Sequence, residues 1–362
     1  MSTLFAAHPA LVRYGWDEAL ADAFAPHADA DSVPARILRV DRGGQCLAVT
    51  EAGTVRADTA PVAAADPTAA ACTGDWAAVA DGPTGPVVHA LLPRRTAFLR
   101  STSSKRSDGQ VLAANADVAL IAVSLAAELD LGRLERFVSL AWSSGARPLV
   151  VLTKTDLVPD PSHLYADAAG AAPGVQVLLA SAVTGAGLPE LAEALRARTG
   201  VLLGLSGAGK STLVNALLGA EASVVQAIRG RDGKGRHTTT HRELFPLPAG
   251  GVLIDTPGLR GVGLWEADAG LDRTFTDIDA LAGQCRFPDC GHGAEPGCAV
   301  LAALEDGTLA HRRLDSYRKL QRESERMAAR TDARLRAERR KEFKRRDALG
   351  RHMAERKRGR LR

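Results

Sequence analysis

The stretch Gly204-Leu205-Ser206-Gly207-Ala208-Gly209-Lys210-Ser211-Thr212 matches the phosphate-binding loop pattern G-x-x-x-x-G-K-[ST]. An apolar run at residues 201–203 predicts a strand before it, and residues 212–218 predict a helix after it. Glycines let the backbone N–H groups face phosphate oxygens, and the helix N-terminus favours an anion. We predict that the whole loop binds a nucleotide. Lys210, a predicted catalytic residue, would contact the β- and γ-phosphates, and Ser211 would offer its hydroxyl to Mg²⁺.

The sequence around this loop predicts an α/β domain. Buried strands that alternate with helices are typical of a mostly parallel sheet covered on both faces. We therefore assign residues 109–268 to one domain of this class. Its predicted strands are 118–123, 147–152, 175–179 and 252–254, and its predicted helices are 131–143, 162–169 and 188–199.

A second motif, Thr153-Lys154-Thr155-Asp156, follows a predicted strand at the edge where open α/β sheets bind ligands. It resembles the N-K-x-D box with which GTPases recognise guanine. Asp156 could accept two hydrogen bonds from the adjacent N–H donors of guanine, and Lys154 could lay its methylenes over the base. Thr153 replaces the usual Asn, so we expect a weaker or differently made brace to the phosphate-binding loop. Ser181 and Ala182 resemble the box that closes over guanine through backbone N–H groups.

Downstream, a predicted strand runs into the D-x-x-G motif of Asp255 and Gly258. We expect Asp255 to hold Mg²⁺ through water and the N–H of Gly258 to sense the γ-phosphate. Residues 230–241 are rich in glycine and charge, which suits a switch that becomes ordered around the γ-phosphate. Within them Thr239 is our candidate catalytic residue and Mg²⁺ ligand, with Thr238 and Thr240 as alternatives. His237 is a candidate to orient or deprotonate water, or else an exposed loop residue or an RNA contact.

The order of these motifs indicates a circular permutation. In ordinary GTPases the phosphate-binding loop comes first and the base-recognition boxes last. Here both base-recognition boxes precede the loop, and D-x-x-G follows it. Such a rearrangement is tolerated because the termini of compact domains often lie close together. Whatever follows Gly258 is therefore attached directly to the nucleotide-sensing strand.

Cys285, Cys290, His292 and Cys298 have the spacing C-x₄-C-x-H-x₅-C. Three thiolates and one imidazole complete a tetrahedral, structural Zn²⁺ site with no open position for water. Five cysteines are present, and Cys46 and Cys72 stand apart from this cluster. That usage suits a reducing compartment and a metal site better than a disulfide framework.

Length and composition limit the remaining possibilities. The chain has 362 residues and is 46% apolar, as expected for a globular protein of two or three domains. No run approaches 18 consecutive apolar residues, and the N-terminus lacks a basic region before an apolar one. We therefore expect neither a membrane span nor a signal peptide.

Charge is unevenly distributed along the chain. Residues 312–362 contain 21 basic and 8 acidic residues, whereas the remainder contains 25 basic and 34 acidic ones. This tail predicts one or two helices that are polar nearly all round, apart from Leu314, Tyr317, Leu320 and Met327. The alternatives for residues 312 to about 358 are a solvated charged helix or a segment that binds RNA phosphate. We assign residues 269–362 to a zinc-binding domain with this basic helical tail.

The first third of the chain has a different pattern. Residues 1–32 form an N-terminal extension to which the sequence assigns no role. Residues 33–108 contain short apolar runs with Gly/Pro turns, including 42–44, 82–83 and 85–86, which predict a small β-barrel. An OB-type barrel that binds RNA is one reading, and a barrel that only packs against its neighbour is the other. Residues 93–110 are a basic, Ser-rich linker, either solvated or in contact with phosphate.

Together these motifs resemble the ribosome small-subunit-dependent GTPase A family. The resemblance covers about residues 33–320 and rests on T-K-T-D, S-A, G-L-S-G-A-G-K-S-T, G-R-H-T-T-T, D-T-P-G-L-R and the Cys/His cluster, in that order. It implies an OB-fold, a permuted GTPase domain that uses GTP/GDP and Mg²⁺, and a zinc domain with a C-terminal helix. It further implies that the protein binds the small ribosomal subunit and its rRNA late in assembly, with GTP hydrolysis stimulated by the subunit. We also expect a cytoplasmic protein and a monomer.

Two other hypotheses stay open from the sequence. The protein could be a GTP-gated RNA-binding protein whose hydrolysis is incidental, or a permuted GTPase that acts on tRNA or mRNA. Hydrolysis measured with and without small subunits separates the first from an RNA-stimulated enzyme. Sequencing of the bound RNA addresses the second.

Overall fold

A computed structural model describes residues 3–28, 31–64, 66–101, 109–219, 242–256 and 268–331. The strands are β1 Val33–Val40, β2 Gln45–Thr50, β3 Gly53–Asp58, β4 Trp76–Gly82, β5 Gly85–Leu91, β6 Ala97–Ser101, β7 Gly109–Ala114, β8 Val118–Ser124, β9 Arg147–Thr153, β10 Gln176–Ala180, β11 Thr199–Gly204, β12 Glu243–Pro246 and β13 Val252–Asp255. The α-helices are α1 Thr3–Ala6, α2 Pro9–Val12, α3 Glu18–Phe24, α4 Leu131–Ser143, α5 Ser162–Ala171, α6 Leu188–Leu195, α7 Lys210–Leu218, α8 Asp268–Thr274, α9 Thr276–Ala282, α10 Ala299–Glu305 and α11 His311–Thr331.

Five strands close into a barrel in the order β1-β2-β3-β5-β4. Neighbours are antiparallel except β3 and β5, which pair in parallel through Asp58 and Val87 and complete the circle. Small apolar side chains fill the interior, among them Ala35, Cys46, Ala48, Ala57, Ala77 and Val88. This closed barrel confirms the OB-type architecture predicted from the sequence.

A six-stranded sheet forms the α/β domain, in the order β10-β9-β8-β11-β13-β12. All neighbours are parallel except the edge strand β12, which pairs antiparallel with β13. Helices α4 and α5 cover one face through Phe137, Val138 and Ala168, and α6 and α7 cover the other through Leu191 and Leu213. The prediction of a mostly parallel sheet, covered on both faces, is confirmed. Because the parallel strands share one direction, their carboxyl ends meet at one edge.

The N-terminal extension packs against the barrel. Trp16 and Phe24 are buried and belong to one cluster with Trp76 of β4, and the ring centroids of Trp16 and Trp76 are 5.1 Å apart. Arg36 of β1, which is also buried, donates a 2.5 Å hydrogen bond to the carbonyl oxygen of Tyr14 and a 3.1 Å bond to Oγ1 of Thr199. The extension, the barrel and the first residue of β11 therefore meet at one guanidinium group.

The prediction that residues 93–110 form a linker is wrong in large part. Strands β6 and β7 lie within or across it and form a separate antiparallel hairpin. Arg94 is neither solvated nor available to phosphate, because its guanidinium makes two 2.7 Å hydrogen bonds to the buried carboxylate of Asp75. Arg95 forms a fork with Asp17 of the extension, with both N–O distances 2.6 Å. These basic residues hold the barrel in place.

Two predicted boundaries also differ. The helix expected to run to Thr199 ends at Leu195, because Ala197 has a left-handed φ of 54° and Thr199 already belongs to β11. The turn expected at residues 85–86 lies inside β5, since both residues pair with β4. Pairing between strands places Thr199 in β11 and residues 85–86 in β5. Local amino-acid composition does not reveal such pairing.

The C-terminal part shares a core with the α/β domain. Phe275, Ile278, Val300 and Leu314 lie in the same buried cluster as Phe137 of α4. Arg313 of α11 is buried and bonds to Glu135 of α4 at 2.8 Å and to Asp277 of α9 at 2.9 Å. Burial acts to lower the pKa of Arg313, but its bonds to Asp277 and Glu135 raise it above the usual value. The described part of the basic tail is therefore anchored to the molecule's own core. Among the described residues, no helix is both long and apolar enough to cross a membrane.

Candidate functional site

The phosphate-binding loop joins β11 to α7. Gly204 ends the strand with φ of 134°, and a Cβ there would clash with the carbonyl oxygen of Ala122 on β8. Gly207 and Gly209 also have positive φ values, of 82° and 81°. Only glycine adopts such a run of conformations without strain. The sequence therefore creates a tight turn directly before the N-terminus of α7.

Lys210 is the first residue of α7, and its ammonium group lies across the loop. Its Nζ donates hydrogen bonds to the carbonyl oxygens of Gly204, at 2.8 Å, and Leu205, at 2.6 Å. Ser206, Ser211 and Thr212 are exposed, whereas Ala208 is buried beneath them. Three hydroxyl side chains of the loop are therefore accessible, and the ammonium group is held by the loop's own carbonyl groups.

Thr153 braces this loop from the neighbouring motif. Its hydroxyl lies 2.8 Å from the carbonyl oxygen of Ala208 and 3.3 Å from that of Val123. Lys154, which has a left-handed φ of 61°, directs its side chain past Gly209, where a Cβ would lie 3.8 Å from Lys154 Cε. The sequence left open a weaker or differently made brace. The structure shows that the hydroxyl makes it, by donating to a main-chain carbonyl.

Asp156 and Ser181 belong to different loops and are joined directly. The hydroxyl of Ser181 donates a 2.5 Å hydrogen bond to Oδ1 of Asp156, and Oγ of Ser181 accepts a 3.2 Å hydrogen bond from the N–H of Thr184. Ser181 is buried, Ala182 is half-buried and Asp156 is exposed. A buried hydroxyl thus fixes the carboxylate while leaving its outer edge available to a ligand. Sequence reasoning assigned only backbone groups to Ser181.

Asp255 ends β13 and is buried. The residue after it, Thr256, is also buried and donates a 2.6 Å hydrogen bond to the carbonyl oxygen of Leu202 on β11. This anchor, which sequence analysis missed, ties the end of β13 to the strand that carries the phosphate-binding loop. Gly258, His237 and Thr239 lie outside the described residues.

The predicted residues that the structure describes gather at one edge of the sheet. Thr153, Gly204 and Asp255 end the parallel strands β9, β11 and β13, and Ser181 directly follows β10. This edge, which carries the ammonium group of Lys210, the N-terminus of α7 and the exposed carboxylate of Asp156, suits a nucleotide with its phosphates at α7 and its base near Asp156.

The second site lies between α9 and α10. The ligand atoms of Cys285, Cys290, His292 and Cys298 all lie within 4.8 Å of one another. Sγ of Cys285 is 3.9 Å from Sγ of Cys298, and Nδ1 of His292 is 3.6 Å and 3.5 Å from these two sulfur atoms. Tetrahedral Zn–S bonds of ~2.3 Å separate sulfur atoms by ~3.8 Å, so the four groups fit zinc.

Contacts with neighbouring residues stabilise the arrangement of the four ligand groups. Burial lowers the pKa of His292, which favours the neutral imidazole that binds metal. Arg318 of α11 donates a hydrogen bond to the carbonyl oxygen of His292, which has a left-handed φ of 54°. Sγ of Cys298 accepts from the N–H of Leu301 in the first turn of α10. The cluster therefore connects three helices of the C-terminal part.

Comparison with known proteins places these sites in context. Residues 91–265 match a family model described as RsgA GTPase. A protein of Streptomyces coelicolor called "Small ribosomal subunit biogenesis GTPase RsgA" is 62% identical over 358 residues, 98% of each chain. A protein of the same name from Streptomyces avermitilis is 60% identical over 355 residues, 97% of this chain and 95% of the other.

Solved structures show the same fold. YjeQ from Thermotoga maritima superposes with a TM-score of 0.57 at 24% identity, covering 80% of this chain and 97% of that one. YloQ, described as a circularly permuted GTPase, gives a TM-score of 0.58 at 22% identity, covering 82% and 96%. The permutation inferred from the order of motifs therefore has a counterpart in known structures.

Proposed function

Because this chain belongs to the RsgA GTPase family, we propose that it binds the small ribosomal subunit late in assembly and hydrolyses GTP to GDP and phosphate there. GTP hydrolysis is the activity of the family. The name of a relative that is 62% identical, "Small ribosomal subunit biogenesis GTPase RsgA", supports the small ribosomal subunit as the partner. The observation that carries the nucleotide assignment is the hydrogen bond from Thr153 to Ala208, which joins the base-recognition motif to the phosphate-binding loop. We place the protein in the cytoplasm, as a monomer.

We assign guanine selectivity to Asp156, held by Ser181, with Lys154 and Ala182 on either side of the base. The outer carboxylate edge can accept the paired N–H donors of guanine, which adenine does not present. The geometry that supports this assignment is the 2.5 Å bond that fixes Asp156 from behind.

At the phosphate end, the backbone of Gly204 to Thr212 would surround the phosphates, and Lys210 would exchange its two carbonyl partners for their oxygens. Bound Mg²⁺ neutralises charge that develops on the phosphates. Ser211 and Asp255 are placed to hold it, together with Thr239. Gly258 would sense the γ-phosphate, and His237 would orient the attacking water. These last three roles are proposed from the sequence.

We propose that the Cys/His cluster holds one structural zinc ion. The fit of its four ligand atoms to tetrahedral spacing supports this, and four protein ligands leave no position for substrate. The metal would set the relative positions of α9, α10 and α11.

For the partner, we propose that the barrel and the basic tail contact rRNA. The units are residues 1–32 as an extension, 33–108 as the OB-fold RNA-binding domain, 109–268 as the permuted GTPase domain and 269–362 as the zinc domain with its tail. Support comes from the charge of the tail, in which residues 312–362 contain 21 basic and 8 acidic residues.

Co-sedimentation tests the partner. The full chain, with a non-hydrolysable GTP analogue, should sediment with purified small subunits and not with large subunits. RNA recovered with it from cells should be mainly small-subunit rRNA. Recovery of tRNA or mRNA instead would contradict the proposed partner.

A further inference from the structure

Four alternating charges run from the outer surface of the barrel toward the sheet. Nη1 of Arg56, on β3, lies 3.3 Å from Oδ2 of Asp41. Nε of Arg39 donates to Oδ1 of Asp41 at 2.7 Å, and Nη1 of Arg39 lies 3.6 Å from Oε1 of Glu243. The side chain of Arg56 is 63% exposed, that of Asp41 21%, and those of Arg39 and Glu243 8% and 10%. We call these four residues the charge row, and it connects solvent to the interior.

The inner end of the charge row lies beside the predicted Mg²⁺ residue. Glu243 begins β12 and is directly opposite Asp255 of β13 in their antiparallel pairing. Opposed residues in such a pair have Cβ atoms about 4.5–5.5 Å apart on one face, and like charges there repel. Arg39 offsets the charge of Glu243 and so weakens that repulsion. A group on the barrel therefore modifies the electrostatic potential at Asp255.

The barrel is packed tightly against these two strands. Oγ1 of Thr73 donates a 3.2 Å hydrogen bond to the carbonyl oxygen of Arg242, the residue before β12. At Gly74, a Cβ would lie 2.9 Å from Cδ1 of Ile254, the neighbour of Asp255. The barrel region is therefore in direct contact with the residue before β12 and with the residue beside Asp255.

The outer end of the charge row lies where oligonucleotides bind OB-folds, namely on strands 2 and 3 and the loop between strands 1 and 2. Arg56 is on β3, and Asp41 is followed by the exposed Arg42 in the β1–β2 loop. An RNA phosphate at Arg56 would compete with Asp41 for the guanidinium, because both are anions within hydrogen-bonding reach.

We propose that the charge row couples RNA binding on the barrel to the Mg²⁺ requirement of GTP hydrolysis; this rests on the proposed function. When an RNA phosphate binds Arg56, Arg56 no longer pairs with Asp41. The carboxylate of Asp41 then interacts only with Arg39 within the charge row, and this stronger pairing moves Arg39 away from Glu243. The carboxylate of Glu243 then adds negative potential beside Asp255 and strengthens its hold on Mg²⁺. Arg39 and Glu243 are positioning residues, since they act through Asp255.

The test is the Mg²⁺ concentration that gives half-maximal basal GTP hydrolysis by the full chain. Arg39→Gln removes the positive charge beside Glu243 and should lower that concentration, whereas Glu243→Gln removes the negative charge opposite Asp255 and should raise it. Each shift should be up to about 5-fold, since a cross-strand charge pair contributes up to ~1 kcal/mol and a tenfold change equals 1.4 kcal/mol. The double variant should return close to wild type. Arg39→Lys, which keeps the charge, should do the same.

Arg95→Gln is the matched control, because it removes a different arginine–carboxylate pair, with Asp17 of the N-terminal extension. It should leave the Mg²⁺ requirement unchanged, and thermal melting checks that every variant is folded. Purified small subunits should lower the half-maximal Mg²⁺ concentration of wild type but not of Glu243→Gln.

Shifts of both single variants in one direction, or no shift in either, would overturn the proposal. So would an equal effect of subunits on wild type and Glu243→Gln. If subunits neither bind nor stimulate wild type, the proposed function fails. In that case opposite shifts in the basal assay still support the link from Arg39 through Glu243 to Asp255, and their absence overturns it.

Discussion

The hydroxyl of Thr153 donates a 2.8 Å hydrogen bond to the carbonyl oxygen of Ala208 and thereby joins the base-recognition motif to the phosphate-binding loop. Ala208 is buried, so this carbonyl has no ready access to water. The bond joins the end of β9 to the loop that follows β11, two strands that lie on either side of β8, although Thr153 and Ala208 are separated in the sequence by 55 residues.

Thr153→Val should weaken GTP and GDP binding alike, because it leaves a buried carbonyl without its donor. An unsatisfied buried acceptor costs about 1–3 kcal/mol, so a loss of about 10-fold in both affinities is expected. Thr153→Ser keeps the hydroxyl and is the control. Calorimetric titration gives both dissociation constants, and a loss confined to GTP would show that the bond serves the γ-phosphate instead.

Asp156→Asn should remove the preference for guanine nucleotides. The amide has one acceptor oxygen and presents N–H donors where guanine also presents donors. A hydrogen bond to a charged group contributes about 1.5–3 kcal/mol, so GTP affinity should fall about 10- to 100-fold. Competition binding with GTP, ATP and XTP measures the change. Wild-type GTP affinity in the variant would show that another residue recognises the base.

Much of this site follows from sequence because its chemistry is local. The glycines that adopt positive φ, the lysine and the strand-terminal Asp255 occur in short motifs whose spacing is constrained by the phosphates. The barrel and the parallel sheet follow from alternating short strands and from near-continuous apolar runs. The spacing of the three cysteines and the histidine likewise predicts a tetrahedral metal site.

Contacts between distant segments could not be predicted. Arg94 belongs to a basic run that is typical of solvent or phosphate contacts, yet it bonds to Asp75, because the fold brings a buried carboxylate to it. Arg313 lies in the basic tail but is buried against Glu135, 178 residues earlier. Trp16 packs on Trp76 in a segment with no motif at all. Each of these three contacts depends on tertiary packing, and the periodicity of a single sequence does not show which distant residues meet.

Cys290→Ser should release zinc and unfold residues 285–298, because metal binding and local folding are coupled. The phosphate-binding loop lies in a separate part of the core and should keep its nucleotide affinity. Elemental analysis of the purified variant measures the metal. Full zinc occupancy would contradict the assignment of Cys290 as a ligand, and Cys72→Ser, at a buried thiol outside the cluster, is the control.

Deletion of residues 332–362 should weaken small-subunit binding and flatten its salt dependence. The segment contains 14 basic and 5 acidic residues, and the slope of log affinity against log salt becomes shallower by about 1 for every phosphate that the protein no longer neutralises. Truncation after Thr331 keeps α11, whose Ser324 and Met327 are buried. Basal hydrolysis should therefore be unchanged. An unaltered salt slope would show that the tail does not bind phosphate.

Single-turnover hydrolysis of GTP, with and without saturating small subunits, measures whether the subunit activates the enzyme. Leu259 occupies the position after D-x-x-G where Ras-like enzymes have the glutamine that orients water, and leucine cannot make that hydrogen bond. The isolated protein should therefore be slow, at or below about 10⁻³ per second, and one added stabilising group can contribute ~10³ to 10⁵. We expect small subunits to accelerate hydrolysis by at least ~10²-fold and large subunits to have no effect. Equal rates with and without small subunits would contradict this expectation.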